Sequence, residues 1–401
     1  MKNNKNNNCN FPTLRFPEFS GEWKKDIIGN VISVKSEKYN PHSNRTEFIC
    51  VELESISQGT GELLETFNST EQKSIKNKFS PGTVLFGKLR PYLRKFYLPY
   101  FEGVCSSEIW VMRSNKIEPA FLYSFIQTPY FISLANQSSG SKMPRADWGL
   151  IETSKIAYPP NSAERVKIGK FLKLIDERIA TQNKIIEEYK KLKNALAESL
   201  YYPKKSQELL KLKGLNSKWE QCFLKDVVEN FCRRNKSHIQ YPMYSVTNDL
   251  GFVPQSEKFE ERTMMGEDIS SYKVINKGDF AYNPARINVG SIAKYEGDNP
   301  CMISSLYVCF RPKYNISSEW LQHLLKSQRM IYNYNLFGEG GVRIYLFFPN
   351  FGRIKISIPP LEEQKKIAAV ISTIEQKISV ENFILDKLNT QKSFLLTKMF
   401  I

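Results

Sequence analysis

Five basic stretches, several of them interleaved with aromatics, offer the chain's clearest chemistry. FGKLRPYLRKFY at 86–97 carries Lys88, Arg90, Arg94 and Lys95, and SGSKMPRADW at 139–148 adds Lys142 and Arg145. FCRRNKSH at 231–238 has Arg233, Arg234 and Lys236, YNPARINVG at 282–290 has Arg286 and Asn288, and GEGGVRIY at 338–345 has Arg343. Lysine and arginine neutralise phosphates, and the arginine fork also matches guanine O6 and N7. Asn248, Asn283 and Asn288 suit the paired donor and acceptor of adenine. For any one of these residues a solvated surface charge is the simpler reading; together they outline a polyanion-binding surface. Their aromatic neighbours fit core filling better than base stacking.

The charge balance agrees. Lysine and arginine total 57 against 41 acids, a formal net charge of +16, which repels itself and favours a polyanionic partner. At 401 residues with 41% apolar and 13% aromatic content, the chain has material for two domains with proper cores. Seven scattered cysteines fit a reducing cytoplasm. The absence of CxxC, with only His42, His238 and His323 available, argues against zinc. MKNNKNNNCNF has no apolar run of a signal peptide, and no stretch has the roughly 18 apolar residues of a membrane span.

Reacting groups are scarce. LFGEGG at 336–341 does not meet GxGxxG and reads as a tight turn. No GxxxxGK[ST] occurs, so ATP-driven movement is not encoded here. NPAR at 283–286 starts like the NPPY-type loop of adenine-N6 methyltransferases but has no aromatic residue to stack a flipped base. No PD…ExK-like nuclease arrangement stands out. Ser106–Ser107 and Ser304–Ser305 have no recurring histidine beside them, which disfavours serine catalysis.

The elements that must position the basic residues occur twice. Trp23 and Trp219 are 196 apart, PGTVLF and KGDFAY 196, the serine pairs 198, and Pro159–Pro160 and Pro359–Pro360 200. Between each tryptophan and its double proline lie short strand-like runs: FICVELESI, TVLFGKL, EIWVMR and KIAYP, then KVINKG, FAYN, LYVCFR and RIKISIP. The region 119–134 reads as a helix interrupted by Pro129, with 317–334 as its counterpart.

After each double proline comes a 4–3 apolar rhythm. Ile168, Leu172, Ile175, Ile179, Ile186, Leu196 and Leu200 recur as Ile367, Ile371, Ile374, Ile378, Leu385, Leu395 and Met399, 199 residues later, with Tyr189 recurring as Leu388. The polar interruptions Gln182 and Lys193 recur as Glu381 and Lys392. Such spacing calls for knobs-into-holes packing along helices of roughly 55 Å. Pairing of the two helices is the expectation, antiparallel and pseudo-twofold, with the polar positions fixing register. Packing of each stripe on its own β domain is the alternative. The helices hold nine basic and six acidic residues (161–200) and six and five (361–401), only +4 of the +16, so the polyanion-facing charge belongs to the β-rich domains.

The expected fold class is therefore α+β: two β-rich target-binding domains in tandem, with two long helices forming an antiparallel coiled coil. Residues 1–15 are expected as a flexible tail and 16–160 as the first domain, followed by a helix at 161–203 and a linker at 204–213. The second domain spans 214–360 and its helix 361–401.

This organisation resembles the specificity (S) subunit of type I restriction–modification systems. LRFPEFSGEW at 14–23 resembles the family's opening. PPLEEQKKIAAVISTIEQKI matches its Pro-Leu-x-Glu-Gln-x-x-Ile-Ala signature through Pro360, Leu361, Glu363, Gln364, Ile367 and Ala368. The first copy keeps Pro160, Glu164 and Ile168 but has Arg165 and Gly169 where glutamine and alanine are usual. KSFLLTKMF at 392–400 resembles the family's ending, with KNALAESLY at 193–201 as its counterpart. The resemblance implies a non-catalytic cytoplasmic chain whose two target-recognition domains read a bipartite double-stranded DNA sequence. The partners implied are two modification subunits, which use S-adenosylmethionine to methylate adenine N6, and two restriction subunits, which use ATP and Mg. No cofactor is implied in this chain. A stand-alone DNA-modifying enzyme and a structural coiled-coil adaptor with incidental charge remain open at this point.

Overall fold

The computed structural model describes residues 10–43, 46–137, 143–202, 219–255, 269–341 and 343–401. The chain divides into two compact units, Met1–Ile186 with Glu381–Ile401, and Glu187–Val380. The division cuts both long helices, so each unit comprises a β-rich body and a stretch of each helix.

In the first unit, strand β1 (Lys24–Ile27) directly follows buried Trp23. A five-stranded sheet orders Lys38–Tyr39, Lys76–Phe79, Gly103–Cys105, Ile49–Val51 and Phe67–Asn68; its one parallel pair joins Ile49–Val51 to Gly103–Cys105. A second sheet centres on β2 (Val84–Gly87), flanked by Phe96–Tyr97 and β3 (Ile109–Met112). The sequence of β3 reads as alternating, yet all four of its residues are buried, as are those of β2, because this sheet is covered on both faces. Helices α1 (Pro119–Phe125) and α2 (Pro129–Ala135) are separated where Pro129 interrupts the pattern, with Thr128 capping α2 through the Phe131 N–H. Strand β4 (Lys155–Tyr158) returns antiparallel to β1, with Lys155 opposite Ile27. Helix α3 (Ser162–Tyr201) follows.

The second unit repeats the frame. Strand β5 (Glu220–Phe223) follows Trp219, and a four-stranded sheet orders Val228–Phe231, β7 (Val308–Pro312), β6 (Phe280–Tyr282) and Ile292–Lys294. One helix is expected over 317–334 from the sequence, but the structure has two, α4 (Ser318–Leu325) and α5 (Gln328–Phe337). The break needs no proline: the Ser327 hydroxyl caps the Met330 N–H, at the position Thr128 occupies in the first unit. Strand β8 (Lys355–Ile358) pairs antiparallel with β5, and helix α6 (Leu361–Lys398) follows. Among the described residues no helix is long and apolar enough to cross a membrane.

One further expectation is adjusted. Residues 10–15, assigned to a flexible tail, are held in place: Leu14 N–H bonds Lys398 O at 2.9 Å and Trp23 N–H bonds Asn10 O at 2.7 Å. The expected linker at 204–213 lies outside the described residues.

Within the first unit, Ile168, Leu172, Ile175 and Ile179 of α3 form one cluster with Leu388, Leu395, Leu396, Met399 and Phe400. Within the second, Leu196, Leu200 and Tyr201 meet Ile367, Ala368 and Ile371. In both, the pairing runs antiparallel. Ile186 is buried, while Ile374, Ile378 and Leu385 are half-buried. Each seam is continuous with the core of its unit, which includes Trp23, Phe121 and Ile156 in the first and Leu224, Trp320 and Phe351 in the second. The two packing alternatives for the stripe are thus realised together.

The polar stripe positions are matched. Gln182 Nε2 donates to the Glu381 carbonyl at 3.0 Å and its carboxylate at 2.5 Å. Lys392 Nζ lies 2.6 Å from Asp176 Oδ1, a largely buried ion pair. Burial pushes the Asp176 carboxyl above its usual range, and the lysine opposes that shift. At the matching place in the second unit, Lys193 meets Glu375 at 3.2 Å. Asp176 and Glu375, which adjoin the stripe, are the partners that the apolar rhythm does not disclose.

The signature residues lock each helix start onto its unit. Trp23 Nε1 donates to Glu164 at 3.3 Å, and Trp219 Nε1 to Glu363 at 3.0 Å. Arg15 also grips Glu164 through two bonds of 2.7 Å. Gln364 accepts from Ser317 N–H at 2.8 Å and donates to Pro359 O at 2.9 Å. Arg165 fills that role in the first unit, bonding Pro159 O at 2.8 Å and, through Nε and Nη2, the Glu118 carboxylate at 2.7 and 3.1 Å. At Gly169 an added Cβ would come within 2.8 Å of the Ala120 backbone, so α3 approaches α1 more closely than alanine permits.

In the second unit His323 bridges Ser372 Oγ (2.9 Å) and Glu375 (3.5 Å), the residue types of a hydrolytic triad. Ser372 lies in mid-helix, where backbone N–H groups are committed along the helix and supply no oxyanion hole. The contact ties α4 to α6.

The packing sets two expectations for stability. An exposed helical Gly→Ala change gains about 0.8–1 kcal/mol; Gly169→Ala is expected to lower the urea midpoint instead, because it strikes backbone. Lys392→Met, which leaves a buried carboxylate without its cation, is expected to cost about 3–5 kcal/mol, with most of that recovered in Lys392→Met/Asp176→Leu. Lys193→Met, at a more exposed pair, should cost about 1 kcal/mol or less.

Candidate nucleic-acid interface

In the first unit β2 runs out into the Lys88–Arg94 segment. Ala146 N–H bonds Lys88 O and Arg90 N–H bonds Pro144 O, both at 2.8 Å, with Leu89 bridged to Arg145. This ladder brings Lys88, Arg90 and Arg145 to one edge. Arg145 is half-exposed and pairs with Glu108 at 3.1 Å. The turn Pro91–Leu93 is bounded by Arg90 (φ 52) and Arg94 (φ 51), both left-handed. For a side-chain-bearing residue that conformation is strained, and such strain concentrates at functional sites. Exposed Tyr92 stands between the two arginines, while Phe86, Phe96 and Tyr97 are buried as expected of core aromatics.

Not every predicted cation joins this edge. Arg94 reaches the Gln127 carbonyl at 3.3 Å, and Lys95 turns onto the Leu53 carbonyl at 2.5 Å. Lys142 lies outside the described residues.

The second unit assembles the equivalent edge. Leu346 N–H bonds Pro284 O at 3.0 Å, which sets the Gly338–Tyr345 turn beside the Asn283–Arg286 segment. Gly340 (φ 111) makes that turn possible; a Cβ there would lie 2.3 Å from Arg343 O. LFGEGG accordingly ends α5 and opens a turn closed by reciprocal 2.8 Å bonds between Glu339 and Tyr345. Arg286 and Arg343 are exposed. Asn283 is occupied in capping the Ala285 N–H at 3.0 Å, and half-buried Asn288 faces Asn335 at a marginal 3.5 Å. Sequence reasoning missed exposed Tyr345 and Phe347, whose rings stack 6.3 Å apart beside this edge; the strand-like alternation of RIYLFF was the available signal.

Arg233, Arg234 and Lys236 do not join that edge. Arg233 lies 3.5 Å from Asp279, before the start of β6, whereas Arg286 follows the end of that strand. Arg311 shares Asp279 at 3.7 Å, and both arginines cover the Phe231 ring. Arg234 and Lys236 are exposed.

A family model described as "Type I restriction modification DNA specificity domain" matches residues 2–191 and 216–390, and the chain belongs to that family. It is a DNA-target recognition subunit of the type I restriction–modification class. The MjaVIII specificity subunit of Methanocaldococcus jannaschii is 26% identical over 304 residues, covering 70% of this chain and 69% of that protein. The EcoDI specificity subunit of Escherichia coli is 25% identical over 159 residues, covering 39% and 35%. In fold, the chain is similar to the S subunit of M. genitalium (TM-score 0.58, 17% identity, 98% and 99% covered). It is also similar to a chain from a structure on the assembly and conformational transition of a type I system (TM-score 0.58, 19% identity, 94% and 97% covered).

Arg90→Gly separates strain from function. The change is expected to stabilise the first unit by about 1 kcal/mol, because glycine adopts φ 52 freely. It should at the same time weaken DNA binding, because a cation is removed from the edge. Thermal denaturation and a DNA-binding isotherm on the same sample read both effects.

Proposed function

We propose that each unit reads one half of a bipartite double-stranded DNA target, through Lys88, Arg90 and Arg145 in the first and Arg286 and Arg343 in the second. The observation that carries this reading is the repeated juxtaposition of two basic loops. In both units a segment leaving a central strand is bonded to the segment preceding β4 or β8. Phosphate contacts supply most of the affinity, and arginine forks at base edges supply discrimination.

In this reading the chain performs no catalysis. It works in the cytoplasm with two modification subunits that bind S-adenosylmethionine and two restriction subunits that use ATP and Mg. α3 and α6 set the unread gap between the half-sites and give the modification subunits their docking surface. Polar pairs such as Gln182–Glu381 hold the helix register on which that gap depends.

Insertion of four residues into α3, with a matching insertion in α6, is expected to lengthen the gap in the methylated sequence while both half-sites stay the same. Methylome sequencing of a strain carrying the complete altered system reads the gap directly. An active complex with an unchanged gap would remove the helices from that role.

A further inference from the structure

The second unit holds a cationic cavity that none of the predicted basic stretches includes. It measures about 650 Å³ and lies between the β5–β8 pair and α5. Lys225, Arg329, Arg353 and Lys355 line it, and among the described residues no carboxylate does. Lys225 and Lys355 both approach the Phe223 ring, 5.5 and 5.8 Å from its centroid, and Arg329 covers Tyr202 at 4.5 Å. Strand register builds the group, since Phe223 stands opposite Lys355. Lys225 N–H bonds Gly352 O at 3.1 Å, next to Arg353. The neighbouring acid, Asp226, is turned back onto the Phe223 N–H at 2.8 Å. Like charges gathered in this way repel one another and favour an anion between them.

The first unit has no such cavity chemistry at the matching positions. Its strand registers and capped helices place Ile27 for Phe223, Gly29 for Lys225, Tyr130 for Arg329 and Thr153 for Arg353; only Lys155 answers Lys355. The cations are therefore a property of the second unit and not of the shared frame.

Helix α5 separates the cavity from the Arg286 loop. Arg329, Asn333 and Phe337 line the cavity at four-residue spacing, whereas Ile331 and Asn335 face Gly290 and Asn288. A helix with its side chains is about 10–12 Å across, and the DNA major groove is about 12 Å wide. The cavity cations and the Arg286 loop thus flank α5 on two sides, about one helix width apart and comparable to the width of one groove.

We propose that this cavity binds backbone phosphates of the DNA read by the second unit, as a clamp indifferent to sequence. The inference rests on the DNA-recognition reading above. The test uses the full chain and a mixed-sequence duplex of about 30 base pairs, with fluorescence anisotropy from about 50 to 200 mM salt. Lys225→Ala/Arg329→Ala/Lys355→Ala should reduce the slope of log affinity against log salt by about 0.9 for each phosphate left without its cation, roughly eightfold in affinity apiece near 0.1 M. Co-purification with modification subunits should be retained. An unchanged slope, with the wild-type slope present, overturns the clamp and leaves DNA recognition standing. Failure to assemble, with an unchanged slope, assigns the cavity to an acidic protein surface and equally overturns it. A wild-type chain without salt-dependent DNA binding removes the underlying reading as well.

Discussion

An apolar stripe along a helix of 38 or 40 residues has to be covered, and that requirement shapes everything else in this chain. Within each unit the core of the β-rich body and a stretch of the other helix cover the stripe together. Phe400 ends this arrangement in the first unit, edge-on to Trp23 at 6.3 Å; Tyr201 does so in the second, 6.0 Å from Trp320. Both aromatics lie in the stretches that resemble the family's ending.

Within that constraint, charge takes on different roles by depth. At the seams, lysines and acids meet in pairs, most deeply at Lys392 and Asp176. Such pairs contribute little net stability but penalise any slip that would separate them. At the loop edges Arg90, Arg145, Arg286 and Arg343 are exposed, and Arg90 is held in a strained backbone conformation. The same residue types thus enforce register inside and remain available outside.

Much of this was legible in the sequence, for physical reasons. The duplicated 4–3 rhythm gave the helices away because burial of a stripe demands it, and the double prolines marked where they start. The juxtaposition of the two basic loops in each unit was not legible, since it depends on backbone bonds such as Arg90 to Pro144 between residues 54 apart. Lys95 looked like its neighbours in the stripe, yet its ammonium serves the Leu53 carbonyl. The break before Ser327 was hidden because a serine cap leaves a weaker trace than the proline at 129. Arg165 and Gly169 read as departures from a motif; Glu118 and the closeness of α1 explain both.

The interleaved closure of the units also has a bearing on synthesis. The body of the first unit precedes Ile186, but Leu388 and Phe400 complete its core. About 200 residues must therefore be translated in between, which at about 5–20 residues per second takes roughly ten to forty seconds. Through that interval the nascent first unit carries an uncovered apolar face, a natural client for chaperones, and the half of the protein made first is the last to be finished.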